Sequence, residues 1–196
     1  MLGVGFDNGA MADMDFRDYV EVIKDWPSPG KAVCDISRLL EHPDVFHEAV
    51  VELARPLLEV KPNKVIGIEQ RGIALGSAIA YYMGCGIVPA RSIFYIPDDY
   101  DRQVEVFPFS RYADRKLTIV SESIDPGDRV VIVDDWLRQG TTVLAVKKFV
   151  ESVGASIVGI ACVINNMSET RRKLLGRPEV QALIENFETD SFQWSE

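Results

Sequence analysis

Cysteine is scarce in this sequence: Cys34, Cys85 and Cys162 are its three thiols, and no pair has CxxC spacing. An odd number of thiols without a framework excludes a disulfide scaffold and fits a reducing cytoplasm. No apolar run approaches the length needed to cross a bilayer. Met1 to Met14 has neither a basic n-region nor an apolar h-region, so it does not read as a signal peptide. It reads as a disordered leader, with Met11 or Met14 as an alternative start. Basic runs are lacking too, and the formal net charge is −9. Wrapping of nucleic acid is therefore not expected. The two histidines, His42 and His47, are five apart with no third ligand nearby. They read as exposed or capping residues rather than a metal site.

What the chain does have is a core. Of its 196 residues, 47% are hydrophobic, enough for one ordinary domain and too many for a disordered chain. The stretch around which the rest is organised is Val130-Val131-Ile132-Val133-Asp134-Asp135-Trp136-Leu137-Arg138-Gln139-Gly140-Thr141-Thr142. Four β-branched apolar residues in a row predict a strand buried on both faces. Two carboxylates follow where that strand is expected to end. A short loop with one Gly comes next, and a helical pattern runs from Val143.

In open α/β sheets, ligands bind at the carboxyl ends of strands. A Gly-bearing loop that opens a helix offers backbone N–H groups and a positive dipole end to a phosphate. The loop has no Lys after its Gly, unlike a triphosphate P-loop, and lacks the three glycines of a dinucleotide fingerprint. Paired carboxylates above an anion loop suit a sugar, because they accept hydrogen bonds from its hydroxyls. The pattern reads as a cradle for a ribose 5-phosphate group. The competing reading is a plain strand-to-helix turn whose Asp and Thr residues only cap the helix.

Around this centre the chain alternates strands and helices. Asp15 to Lys24 reads as a short helix, broken by Trp26-Pro27-Ser28-Pro29-Gly30. Val33 to Ser37 is a short extended piece, and Asp44 to Glu59 has helical apolar spacing. Lys64 to Ile68 is a buried strand that runs through Glu69-Gln70-Arg71-Gly72 into a small-residue helix from Ile73 to Met83. Ile87 to Ala90 is a third strand, ending at Arg91. Ser92 to Thr118 lacks periodicity and reads as a lid or a hairpin excursion. Leu117 to Ser121 returns as a strand. After the central loop come a helix to Val153 and a strand from Ser156 to Asn165. Arg171 to Gly176 reads as a polar connector or a helix end, and Val180 to Ile184 as a last strand. The resulting β-α-β-β-β-α-β order predicts an α/β, Rossmann-like parallel sheet flanked by helices with right-handed crossovers.

The central stretch resembles the phosphoribosyl-pyrophosphate (PRPP) signature of type I phosphoribosyltransferases, in its apolar strand, paired acids, five-residue loop and Thr. From about Asp18 to Glu188 the chain is similar to adenine phosphoribosyltransferases. The Trp26–Gly30 segment with Asp35-Ile36-Ser37 resembles their base-binding segment. Val65 to Gly72 resembles their pyrophosphate loop, and Val88 to Arg91 the strand after it. The resemblance implies transfer of ribose 5-phosphate from PRPP to a purine, with adenine the first choice and a 6-oxopurine the second. It also implies a cytoplasmic homodimer and Mg²⁺ carried by PRPP and water, with no direct metal ligand from the chain. Residues 15–188 are expected to form one domain, with a base-binding hood at about 15–40 and a flexible lid at about 92–118. An acidic tail follows at 189–196.

The roles the resemblance implies fall as follows. Asp134 and Asp135 are catalytic, fixing the ribose as positive charge develops on it. Arg138, Gln139, Gly140, Thr141 and Thr142 bind the 5′-phosphate. Gln70, Arg71, Gly72 and Arg91 bind pyrophosphate, Ala32, Val33 and Cys34 meet the base, and Arg111 and Tyr112 lie in the lid. Three departures fall on the base side: Val33 where the family has an aromatic, Cys34 where it has Arg, and Arg111 where it has an acid. They keep open a second reading, a catalytically silent PRPP-binding regulator on the same fold. The phosphate loop departs as well, with Arg138-Gln139-Gly140-Thr141-Thr142 in place of Ala-Thr-Gly-Gly-Thr.

Overall fold

A computed structural model describes residues 14–26, 28–92, 103–106, 117–187 and 193–194. The leader up to residue 13, the lid residues Arg111 and Tyr112 with most of 92–118, and most of the acidic tail lie outside the described residues. The chain divides into two compact units, one comprising Met1–Ala49 with Glu188–Glu196 and the other Val50–Phe187.

The smaller unit carries a three-stranded sheet in the order β1-β2-β10, made of β1 (Glu21–Lys24), β2 (Lys31–Asp35) and β10 (Gln193–Trp194). β1 runs antiparallel to β2, with Val22 opposite Cys34 and Ile23 opposite Val33. The helix expected over Asp15–Lys24 is therefore a single 3₁₀ turn, Phe16–Tyr19, followed by a strand. The charge-and-bulk alternation that suggested a helix also has the period of a strand. Cross-strand pairing of β-branched Val22 and Ile23 decides between the two. Within the acidic tail, Gln193–Trp194 pairs in parallel with Lys31 and Ala32. Helix α1 (Ser37–Glu41) follows β2, and α2 (Pro43–Leu58) runs past Ala49 into the larger unit.

The larger unit is a seven-stranded, mostly parallel sheet in the order β5-β6-β4-β3-β7-β8-β9. Its strands are β3 (Lys64–Ile68), β4 (Gly86–Ser92), β5 (Gln103–Val106), β6 (Leu117–Val120), β7 (Arg129–Leu137), β8 (Ser156–Asn165) and β9 (Val180–Glu185). β3, β4, β7, β8 and β9 are parallel, while β5 and β6 close one edge antiparallel. Helices α3 (Glu69–Met83), α4 (Thr141–Ser152) and α5 (Glu169–Leu175) complete the unit. The β-α-β-β-β-α-β order holds from Lys64 to Asn165, with β5 as one further strand. No helix among the described residues is long and apolar enough to cross a membrane.

β7 is central because its strand is apolar on both faces, and Val130 to Val133 are all fully buried. Each such side chain contributes about 1.5–3 kcal/mol by leaving water. One face of the sheet, with Ile66, Ile68 and Ile132, joins a core with Val143, Val146 and Val150 of α4. The other face receives α3 at very short range. A Cβ on Gly67 would lie 2.7 Å from the Gly72 carbonyl oxygen, and one on Gly72 2.9 Å from that of Val133. Only glycine lets helix and strand backbones meet this closely.

The opposite rim of the sheet is held by one buried carboxylate, Asp128. Asn63 Nδ2 donates to it at 2.7 Å, the Asp125 N–H at 2.8 Å, and Lys64 Nζ lies 3.3 Å away. Burial works against its charged form, but the Asp125 N–H, the Asn63 amide and Lys64 outweigh burial and hold it below the usual carboxylate range. Its contribution to stability is thus present above pH of about 4 and is lost as pH falls through the depressed value. Asp128→Asn is expected to cost about 1–3 kcal/mol at pH 7. Urea unfolding at pH 7 and pH 3 checks this, and an equal deficit at both would exclude the charge as its source.

Candidate active site

The carboxyl end of β7 is where the polar groups of the larger unit gather. The strand does not stop at the acids: it pairs with β8 through Trp136 opposite Ile164 and Leu137 opposite Asn165. Asp134 and Asp135 therefore sit on rigid strand backbone. Asp134 is 9% exposed and lies opposite Cys162 in register. Its Oδ1 accepts the Asp135 N–H at 2.9 Å. Burial, then the neighbouring Asp135 carboxylate, and more weakly Glu69, push the Asp134 carboxyl well above the usual range. Asp135 Oδ2 instead accepts from Arg71 Nε at 2.7 Å.

Arg71 reaches Asp135 because α3 begins four residues earlier than Ile73, at Glu69. Glu-Gln-Arg-Gly is thus the first turn of the helix rather than a loop before it. Glu69 carries φ +55, a left-handed conformation rare outside glycine. The N-cap residue, Ile68, has no polar side chain to cap this helix end. The N–H groups of Gln70 and Arg71 fall in the first turn, where the helix has no carbonyl of its own to offer them. Arg91 lies on β4 one residue beyond Ala90, which pairs with Ile68 at the start of this turn. Among the described residues its buried Nε has no hydrogen-bond partner, and neither does the buried hydroxyl of Thr118, directly across the strand pair.

On the other side of the acids, Arg138, Gln139 and Gly140 lead into α4, which starts at Thr141 rather than Val143. Gly140 has φ +67, and a Cβ there would lie 2.5 Å from Met167 Sδ. The half-buried Thr141 and Thr142 open the helix. Arg138 lies over the Trp136 ring, 5.1 Å from its centroid. Gln139 Oε1 accepts from Arg171 Nη2 at 3.1 Å. The segment expected to be a connector or a helix end is the helix α5, N-capped by Ser168.

The structure thus brings together Asp134, Asp135 and Arg71, with the pyrophosphate candidates on one side and the phosphate-loop candidates on the other. The base candidates belong to the smaller unit. On β2, Ala32 and Cys34 are buried while Val33 alternates with them and is half-buried, so the three do not share a face. Glu69 opens the Glu-Gln-Arg-Gly stretch already singled out, and Thr118, Met167 and Arg171 are further residues at this edge of the larger unit. No short motif marks these last three, since each reaches the site through chain reversal rather than local spacing.

The geometry agrees with what the chain resembles. The family model described as phosphoribosyl transferase domain matches residues 36–194. An adenine phosphoribosyltransferase of Carboxydothermus hydrogenoformans is 37% identical over 165 residues, spanning 84% of this chain and 95% of that protein. One from Desulfitobacterium hafniense is 34% identical over 175 residues, spanning 89% and 99%. Among solved structures, adenine phosphoribosyltransferase from Rhodothermus marinus superposes with TM-score 0.77 at 30% identity, covering 87% of this chain and 96% of that one. The Giardia lamblia enzyme, complexed with 9-deazaadenine, gives TM-score 0.78 at 25% identity, covering 89% and 97%.

Proposed function

The chain belongs to the phosphoribosyl transferase family and is a pentosyltransferase, and from that premise we propose that it transfers ribose 5-phosphate from PRPP to adenine. The bond from C1′ to pyrophosphate oxygen breaks, and the leaving group takes the electron pair. The purine nitrogen forms the new bond to C1′ and gives up its proton to solvent or to the departing pyrophosphate. The observation that carries this reading is the pairing of Arg71 with Asp135 at the end of the central strand. One guanidinium has five N–H donors, so Arg71 can hold the ribose anchor and still reach the leaving group. Asp134 and Asp135 take the ribose hydroxyls and favour positive charge on the sugar. Gly140 to Thr142 hold the 5′-phosphate at the N-terminus of α4, with Arg138 and Gln139 beside it. Gln70 to Gly72 and Arg91 receive pyrophosphate as its charge develops.

In the smaller unit we assign the base to the β2 segment, with Val33 offering an aliphatic face to the purine. Residues 92–118, including Arg111 and Tyr112, are assigned the role of a lid that excludes water. Mg²⁺ fits such a site as a cation delivered with PRPP. It takes oxygen ligands and keeps several waters. The site offers Asp134 and Asp135 oxygens, and among the described residues no group of three or more His, Cys, Asp or Glu can hold a metal ion. These two carboxylates would meet the ion through water, and when bound it offsets charge on the departing pyrophosphate. A homodimer acting in the cytoplasm belongs to the same reading, and light scattering on the purified chain checks the first part.

A pyrophosphate-release assay with PRPP, Mg²⁺ and a panel of bases tests the assignment. Adenine is expected to turn over at least about a hundredfold faster than hypoxanthine or guanine, since a site built for one hydrogen-bond pattern strands buried polar groups on another. Turnover with a 6-oxopurine instead would move the substrate to the second choice. PRPP binding without turnover on any base would favour the regulator.

A further inference from the structure

We propose that Arg171, on α5, is a working part of the 5′-phosphate site, an inference that rests on the phosphoribosyl reading above. The loop between β7 and α4 leans on a neighbouring segment. The segment after β8 supports it at three successive points. The Asn166 N–H donates to the Leu137 carbonyl oxygen at 2.8 Å. Met167 Sδ fills the space that a side chain at Gly140 would need. Arg171 Nη2 donates to Gln139 Oε1 at 3.1 Å. Residues 166–171 are thus the floor of the phosphate loop.

The charges on α5 single out Arg171. Arg172 pairs with Glu185 at 2.5 Å, and Lys173 with Glu169 at 3.5 Å. Among the described residues Arg171 has no carboxylate partner; it is held by a neutral amide instead. In a chain of net charge −9, a guanidinium steered toward an anion loop and left without a counter-charge there is a place for a bound anion. One N–H goes to Gln139, which leaves further donors in a planar fork suited to phosphate oxygens. Arg138, stacked on Trp136, puts a second guanidinium on the same loop. The loop therefore combines helix N–H groups with two cations, and Arg171 both fixes Gln139 and adds attraction for a phosphate dianion. Its effect falls on ligands carrying a 5′-phosphate and not on free pyrophosphate, which belongs at the start of α3.

The test is calorimetric titration of the full chain with ribose 5-phosphate and, separately, with inorganic pyrophosphate. The proteins are the wild type, Arg171→Gln, Arg171→Lys and Gln139→Ala. Arg171→Gln is expected to weaken ribose 5-phosphate about tenfold and leave pyrophosphate within about twofold. The KM for PRPP should rise in parallel while kcat holds. Arg171→Lys should recover most of the loss, and the salt dependence of ribose 5-phosphate binding should become shallower in Arg171→Gln alone. Gln139→Ala, which frees Arg171 without removing its charge, should weaken the same ligand by about threefold and keep the wild-type salt dependence; if Arg171→Gln does not fold, Arg171→Met, which keeps the aliphatic stem without the charge, should show the same tenfold loss. Unchanged ribose 5-phosphate affinity would overturn the inference, as would equal loss of both ligands or failure of Lys to rescue. If the wild type bound pyrophosphate but not ribose 5-phosphate, the cradle itself would fall, an outcome distinct from failure of Arg171 alone.

Discussion

Replacing Asp134 and Asp135 together by Asn is expected to abolish pyrophosphate release from PRPP while the chain stays folded. Each carboxylate can accept a charge-assisted hydrogen bond from a ribose hydroxyl, worth about 1.5–3 kcal/mol. Losing both weakens PRPP by a factor of about a hundred to ten thousand. The loss in rate is larger still, because these charges also meet the positive charge that develops on the sugar. The same substitution has an opposite effect on stability. Burial and Asp135 raise the Asp134 carboxyl in the folded chain. A raised carboxyl means that the folded state keeps its proton longer than the unfolded state. Stability therefore falls as pH climbs from about 4 through the raised value, and Asp134 is a net burden above it. Asp134→Asn alone should melt a few degrees higher than the wild type at pH 8, with the gap closing toward pH 4. Melting curves at both pH values with matched turnover assays check this. A variant that loses stability at pH 8 would remove the argument that the site holds an energetically costly carboxylate for its chemistry.

That cost explains why the centre of this protein is legible from sequence. Val130 to Val133 predict a buried strand, and nothing about a core calls for two adjacent acids after it. The conflict between a buried strand and a carboxylate 9% exposed is itself the functional signal. Ile157 to Ile164 and Lys64 to Ile68 are legible on the same ground, since runs apolar on both faces have few other uses. The end of β7 is not legible. Asp135 and Trp136 interrupt the apolar run, yet ten-residue β8 supplies a ladder that carries the strand on to Leu137.

The first turn of α3 is illegible for a different reason. Helix starts are read from capping side chains, and Ile68 provides none. The turn exists because Glu69 accepts φ +55, a local cost sustained by the packing of Gly67, Gly72 and Gly76. Arg171 is illegible because it meets Gln139 from 32 residues away. A contact set by the return of β8 leaves no periodicity at either end. In the smaller unit, Glu21–Lys24 is read as helix because four residues offer too short a window to separate the two periods.

Gly72→Ala is expected to remove at least about a hundredfold of turnover without touching a charged group. Its Cβ would lie 2.9 Å from the Val133 carbonyl oxygen and 3.1 Å from Asp134 Cα. Both obstacles are backbone, so no side-chain rotation relieves them. Gly67 blocks the alternative movement, because the Gly72 carbonyl oxygen already occupies the space above it. The first turn of α3 must therefore lift from β7. Overpacking of this kind costs about 1–3 kcal/mol of stability. The lift also opens the 2.7 Å contact between Arg71 and Asp135, and with it the alignment of ribose anchor and leaving group. A displacement near 1 Å at such a point costs about a hundredfold in rate. Gly84→Ala is the matched control: Gly84 has φ +69 at the far end of the same helix, and nothing lies within 4 Å of its would-be Cβ. There the substitution meets backbone strain of about 1–2 kcal/mol and no obstacle, so stability should fall while turnover holds. Measured side by side, the two variants separate loss of stability from loss of geometry. Equal turnover in both would mean that the close approach of α3 to β7 serves packing alone.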